Sequence, residues 1–121
     1  VWHGSFVVLI LLAVCIVSPG AKAQEPNVVA FTASEFRWDP GEVATRPGPV
    51  TFRVTNAGQL EHVFLVQDST GRAIVTIPVL LPGRTEEVMA TVSSGPYTIL
   101  CTLAGHAEAG MIARLIVLAA P

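Results

Sequence analysis

The stretch Val50–Gly71, VTFRVTNAGQLEHVFLVQDSTG, decides the fold. Val50, Phe52 and Val54 fall on one side of an extended chain and Thr51, Arg53 and Thr55 on the other. That period of two is the mark of a half-buried strand. Asn56-Ala57-Gly58 then supplies turn chemistry, after which His62, Phe64 and Val66 resume the alternation. Val63 and Leu65 make this second strand apolar on both sides. Asp68-Ser69-Thr70-Gly71 ends it with a further turn.

The same punctuation continues in both directions, at Asp39-Pro40-Gly41, Arg46-Pro47-Gly48-Pro49, Leu81-Pro82-Gly83 and Ser93-Ser94-Gly95-Pro96. Short runs rich in Val, Ile, Thr and Phe lie between the turns. Turns about 8–12 residues apart predict an all-β sandwich of about seven or eight strands. The expected strands are 27–33, 42–46, 50–56, 61–67, 72–77, 85–92, 97–101 and 111–119. Tyr97, Ile99 and Cys101 share one face of their strand. No stretch has a helical period, and 34–41 has no clear period at all.

The first residues read differently. Phe6–Val17, FVVLILLAVCIV, is an unbroken apolar run shorter than the roughly 20 residues a membrane-spanning helix needs. Ser18-Pro19-Gly20 breaks it, and Ala21-Lys22-Ala23 supplies an A-x-A cleavage pattern. Residues 1–23 are therefore expected to be a signal peptide removed after Ala23, although VWHGS lacks the usual positive charge. Residues 24–121 are expected to form one exported, periplasmic domain, tethered to the membrane if the leader stays uncleaved. Cys101 is then the domain's only cysteine and has no internal disulfide partner.

Net charge is −2 and Lys22 is the only lysine. A nucleic-acid partner needs a basic face that this composition lacks. P-loop and Schiff-base chemistry need a lysine that the mature domain lacks. No G-x-S-x-G or H-E-x-x-H is present either, so no enzyme and no small-molecule substrate is expected.

Strand direction singles out four side chains. If consecutive strands alternate in direction, strand 50–56 ends at the pole where strand 61–67 begins, which puts His62 there. Carried forward, the alternation brings the end of strand 97–101, the loop 102–110 and the start of the last strand to that pole. Cys101, His106 and Met111 thus join His62. A thiolate, two imidazoles and a thioether are the donors of a blue-copper site, with His₂Cys in a plane and a weak axial Met. Each residue alone has an ordinary reading: a lone buried Cys is a small hydrophobe, and Met89 reads as core filling. Their convergence favours one copper ion. Zinc at Cys101, His62 and His106 would leave Met111 idle.

The segment Tyr97–Met111, YTILCTLAGHAEAGM, resembles the ligand loop of the cupredoxins, and its C-x₄-H-x₄-M spacing is similar to that of rusticyanin and auracyanin. Asn56–Phe64, NAGQLEHVF, resembles the turn and first His ligand of the same small, exported, plastocyanin-like proteins. The resemblance implies a Greek-key sandwich, copper ligands His62, Cys101, His106 and Met111, and one-electron transfer, with His106 as the electron port. Two positions depart from the family pattern. Val63 stands where many members have Asn, and Ala104 where many have Pro, so the ligand loop is expected to need another brace; Asn56 is a candidate. The alternative function is copper delivery or resistance through the same site. Val79, Leu80, Leu81, Ala104 and Ala107 are expected to form an apolar patch where a redox partner docks on a monomer.

Overall fold

A computed structural model describes residues 1–4, 14–18, 20 and 26–121. The expected cleavage site and most of the apolar run before it lie outside the described residues. Among the described residues no helix is long and apolar enough to cross a membrane.

The described residues form nine strands rather than seven or eight: β1 (Asn27–Ser34), β2 (Arg37–Asp39), β3 (Glu42–Thr45), β4 (Gly48–Asn56), β5 (His62–Asp68), β6 (Ala73–Leu80), β7 (Thr85–Val92), β8 (Gly95–Leu100) and β9 (Ile112–Val117). The additional strand is β2, within the segment that showed no clear period. β1 and β2 form a hairpin whose two-residue tip is Glu35-Phe36. The sequence hides that turn because two-residue hairpins usually carry Gly, Asn or Asp at the tip.

One sheet has the order β2-β1-β4-β7 and the other β3-β9-β8-β5-β6. β1 runs parallel to β4, and β3 parallel to β9. All other pairings are antiparallel. Every connection from β2 to β5 and from β6 to β8 changes sheet, which gives the sandwich its Greek-key wiring. From β4 to β9 the strands alternate in direction, so the ends of β4, β6 and β8 and the starts of β5, β7 and β9 share one pole. The β1–β2 tip reaches the same pole, because β1 runs with β4.

Alternation places the core as the sequence implies. Val50, Phe52, Val54, Phe64, Val66 and Ile99 are buried, and Val63 and Leu65 are only partly covered. Phe64 joins the two sheets. Its ring lies 5.8 Å from Phe31, 5.5 Å from Trp38 and 5.6 Å from Phe52, all on the opposite sheet. Offset and edge-on rings at such distances add to plain area burial. His62, two residues before Phe64, takes the same inward face and sits against Trp38 with ring centroids 6.5 Å apart. Met89 is not core. Val88, Ala90 and Val92 take the inward positions of β7, which turns Met89 out to solvent.

Candidate metal centre

β5 begins at His62, β8 delivers Cys101 just past its end, and Met111 immediately precedes β9. These three side chains are fully buried. His106, on the loop between them, is half-buried. The donor atoms of His62, Cys101 and His106 all lie within 4.8 Å of one another. Cys101 Sγ is 3.4 Å from His106 Nδ1 and 4.0 Å from His62 Nδ1. The imidazole rings meet edge to face with centroids 5.3 Å apart.

The fourth residue joins through the backbone. The Met111 N–H donates to the His106 carbonyl at 3.0 Å, and the Met111 carbonyl accepts from the Cys101 N–H at 3.3 Å. The loop is a chain of tight turns: His106 donates to the Leu103 carbonyl, Ala109 to Gly105 and Gly110 to Ala107. These bonds tie the loop to itself on both sides of His106. The Val63 N–H donates to Cys101 Sγ at 3.4 Å, so the residue that replaces Asn still reaches the ligand loop through its main chain.

Asn56, the expected brace for the ligand loop, is fully buried, but its side-chain hydrogen bonds go to Gly58, Leu60 and Leu80 rather than to that loop. Its Nδ2 donates to the Leu60 and Leu80 carbonyls, each at 2.8 Å, and its Oδ1 accepts from the Gly58 N–H at 2.9 Å. Leu80 was expected on the docking patch but is buried in the core, because β6 extends to it and faces it inward. The extension passes through Pro78, which an edge strand tolerates. Val79 and Leu81 are exposed, as are Phe36 and Leu60 at the same pole. Ala104 is exposed and Ala107 partly so.

Sequence reasoning missed the β1–β2 tip, whose two residues reach both imidazoles. The Phe36 ring stands edge-on to His106 with centroids 4.8 Å apart. Glu35 Oε1 is 3.2 Å from His62 Nε2. A carboxylate can only accept, so His62 donates from Nε2 and keeps its Nδ1 lone pair toward Cys101. Burial pushes the His62 imidazole below its ordinary value, with Glu35 opposing and His106 reinforcing the shift. The Leu60 N–H, then the Gln59 N–H, hold the Glu35 carboxyl below its ordinary value. No sequence period or turn signal marks Glu35.

The donor set fits a single soft-to-borderline metal ion. Metal–N and metal–S bonds of roughly 2.0–2.3 Å at trigonal angles put ligands about 3.7 Å apart. The two separations from the thiol, 3.4 and 4.0 Å, straddle that value. A buried thiol facing two Nδ1 atoms, with a buried thioether next in the loop, matches copper in both oxidation states.

The sulfocyanin (SoxE) domain family matches residues 45–120. The copper-resistant cuproprotein CopI of Rubrivivax gelatinosus is 27% identical over 117 positions, covering 82% of this chain and 71% of that protein. The fold is similar to that of auracyanin from Roseiflexus castenholzii in its dithionite-reduced form, with a TM-score of 0.68 at 20% identity over 81% of this chain and 100% of that one. It is similar also to auracyanin A, a blue copper protein of Chloroflexus aurantiacus, with a TM-score of 0.67 at 20% identity over 77% of this chain and 99% of that one.

Proposed function

From the premise that this chain belongs to the sulfocyanin (SoxE) domain family, blue copper proteins of cupredoxin fold, we propose that it is an exported, periplasmic one-electron carrier. His62, Cys101, His106 and Met111 hold its single copper. The observation that carries this reading is the buried thiol of Cys101 facing two imidazoles, one of which reaches the surface. Copper, when bound, supplies a one-electron couple. His62 and Cys101 are fixed by the ends of β5 and β8, which limits rearrangement when the charge changes. Burial of Cys101, His62 and Met111 excludes water from the donors. His106 offers the route outward, and a redox partner docks on the face that includes Val79, Leu81, Ala104 and Ala107.

Cu(II) added to the apoprotein gives an intense thiolate-to-copper absorption band and a reversible one-electron wave, and the protein keeps copper against a chelator in both oxidation states. A colourless product overturns the reading. Ready loss of copper in one oxidation state favours copper handling instead, the reading that the copper-resistance relative supports.

A further inference from the structure

Glu35 lies ahead of the region that matches the family, on a hairpin tip that no sequence motif announces. Its environment is nonetheless specific. Oε1 accepts from the Leu60 N–H at 2.9 Å, the Gln59 N–H at 3.0 Å and His62 Nε2 at 3.2 Å. The side chain is 27% exposed while the imidazole it holds is fully buried. Gly58 makes room for it: a Cβ at that position would collide with the Glu35 carboxylate. Two backbone donors and a cleared space thus aim one negative charge at the far nitrogen of a buried imidazole.

We propose that Glu35 is a positioning residue of the metal centre: it fixes His62 in the Nε2–H tautomer, presents Nδ1 to the centre, and biases the site toward Cu(II). The bias toward Cu(II) rests on the copper reading given above; the tautomer does not. A carboxylate on the outer nitrogen orients a ligating imidazole and strengthens it as a donor. Its charge also stabilises the more positive oxidation state. The oxidised form should therefore gain more from Glu35 than the reduced form does.

Three variants separate these effects. Glu35→Gln keeps the volume and an oxygen acceptor but removes the charge. Glu35→Ala removes both. Gly58→Ala keeps the charge and dislodges the carboxylate. Nitrogen-15 NMR of the apoprotein at about pH 8, above the ordinary imidazole range, reads the tautomer without copper. Wild type and E35Q should show His62 protonated on Nε2, whereas E35A and G58A should show a mixture. On copper-loaded protein, E35Q should lower the ratio of Cu(II) to Cu(I) affinity about tenfold, a rise of about 59 mV in the one-electron potential. E35A should in addition lose roughly 10–100-fold in Cu(II) affinity. An unchanged tautomer in folded E35A overturns the positioning role whether or not copper binds. An unchanged potential in E35Q overturns the bias toward Cu(II). If wild type takes up no copper, the carrier reading and the bias fall together, and the NMR result alone decides the positioning.

Discussion

The two poles of the sandwich hold their loops by different means. At the pole away from the metal centre, Asp68 caps its own turn. Its Oδ1 accepts from the Thr70 N–H at 2.9 Å, the Thr70 hydroxyl at 2.7 Å and the Arg72 N–H at 3.0 Å. All these partners lie within four residues. At the metal pole, Glu35 accepts from donors 24, 25 and 27 residues away, and Asn56 ties the carbonyl of Leu60 to that of Leu80. The distal network can form with its turn alone. The proximal one includes bonds that close only when both sheets are in place: Glu35 to His62 and Asn56 to Leu80 each join one sheet to the other.

The largest expected effect falls on the metal pole alone. Cys101→Ser removes the soft donor, so the thiolate-to-copper band disappears and copper is no longer retained against a chelator. The fold survives, since a hydroxyl of similar size replaces the thiol, with a loss of about 1–3 kcal/mol if that hydroxyl finds no partner. Absorption titration and urea unfolding of the apoprotein check the two halves. A variant that kept the band would break the assignment of Cys101 as the thiolate ligand.

Asn56→Ala tests whether the long-range network carries the pole. It leaves two carbonyls and the Gly58 N–H without the side chain that satisfies them. Buried polar groups left unpaired cost roughly 1–3 kcal/mol each. Partial access to water at Leu60 and relaxation of the loops reduce the total to about 3 kcal/mol. The urea midpoint of N56A apoprotein should therefore fall well below that of any Asp68 variant. Equal shifts for the two would erase the contrast between the poles.

The same contrast explains what the sequence made legible. The turn Asp68–Gly71 announces itself because its donors and acceptor are neighbours in the chain. The pole that gathers His62, Cys101, His106 and Met111 follows from strand direction, which short turns fix one after another from β4 to β9. Strand ends were less legible. Gly48-Pro49 and Gly95-Pro96 read as turns yet start β4 and β8, and edge strand β6 runs through Pro78 to Leu80 although the expected strand stops at 77. Glu35 and Phe36 were hidden for a deeper reason. Their hairpin lacks turn residues, and their contacts depend on a parallel pairing of β1 with β4 that no local period encodes.

Met111→Leu sharpens the picture within the metal pole. Leu for Met is a swap of similar volume that costs less than about 1.5 kcal/mol in a core. The thiolate band should persist, because Cys101 and both imidazoles remain. The potential should rise, because removing the axial sulfur disfavours Cu(II) relative to Cu(I). A tenfold change in the affinity ratio corresponds to about 59 mV, and voltammetry should find a rise of at least that order. An unchanged potential would mean that the buried thioether is packing and nothing more.

The smallest effect belongs to the distal turn and shows only in acid. The Thr70 hydroxyl first, and after it the Arg72 and Thr70 N–H groups and the Arg72 guanidinium, lower the Asp68 carboxyl to about 2, overcoming burial, which opposes them and is second in size only to the hydroxyl. An unfolded aspartate titrates near 3.9. As pH falls, the unfolded chain takes up this proton before the folded one does, so protonation favours unfolding. The stabilisation from Asp68 is therefore complete above about pH 5 and drains away as pH drops from about 4 toward 2. Asp68→Asn carries no such titration. Urea midpoints of wild-type and D68N apoproteins should differ by a constant amount near neutrality and converge in acid. Taking the difference cancels the acid response of every group other than Asp68, which both proteins share. A gap that widened with acid would reverse the sign and show that the turn does not hold the ionised carboxylate.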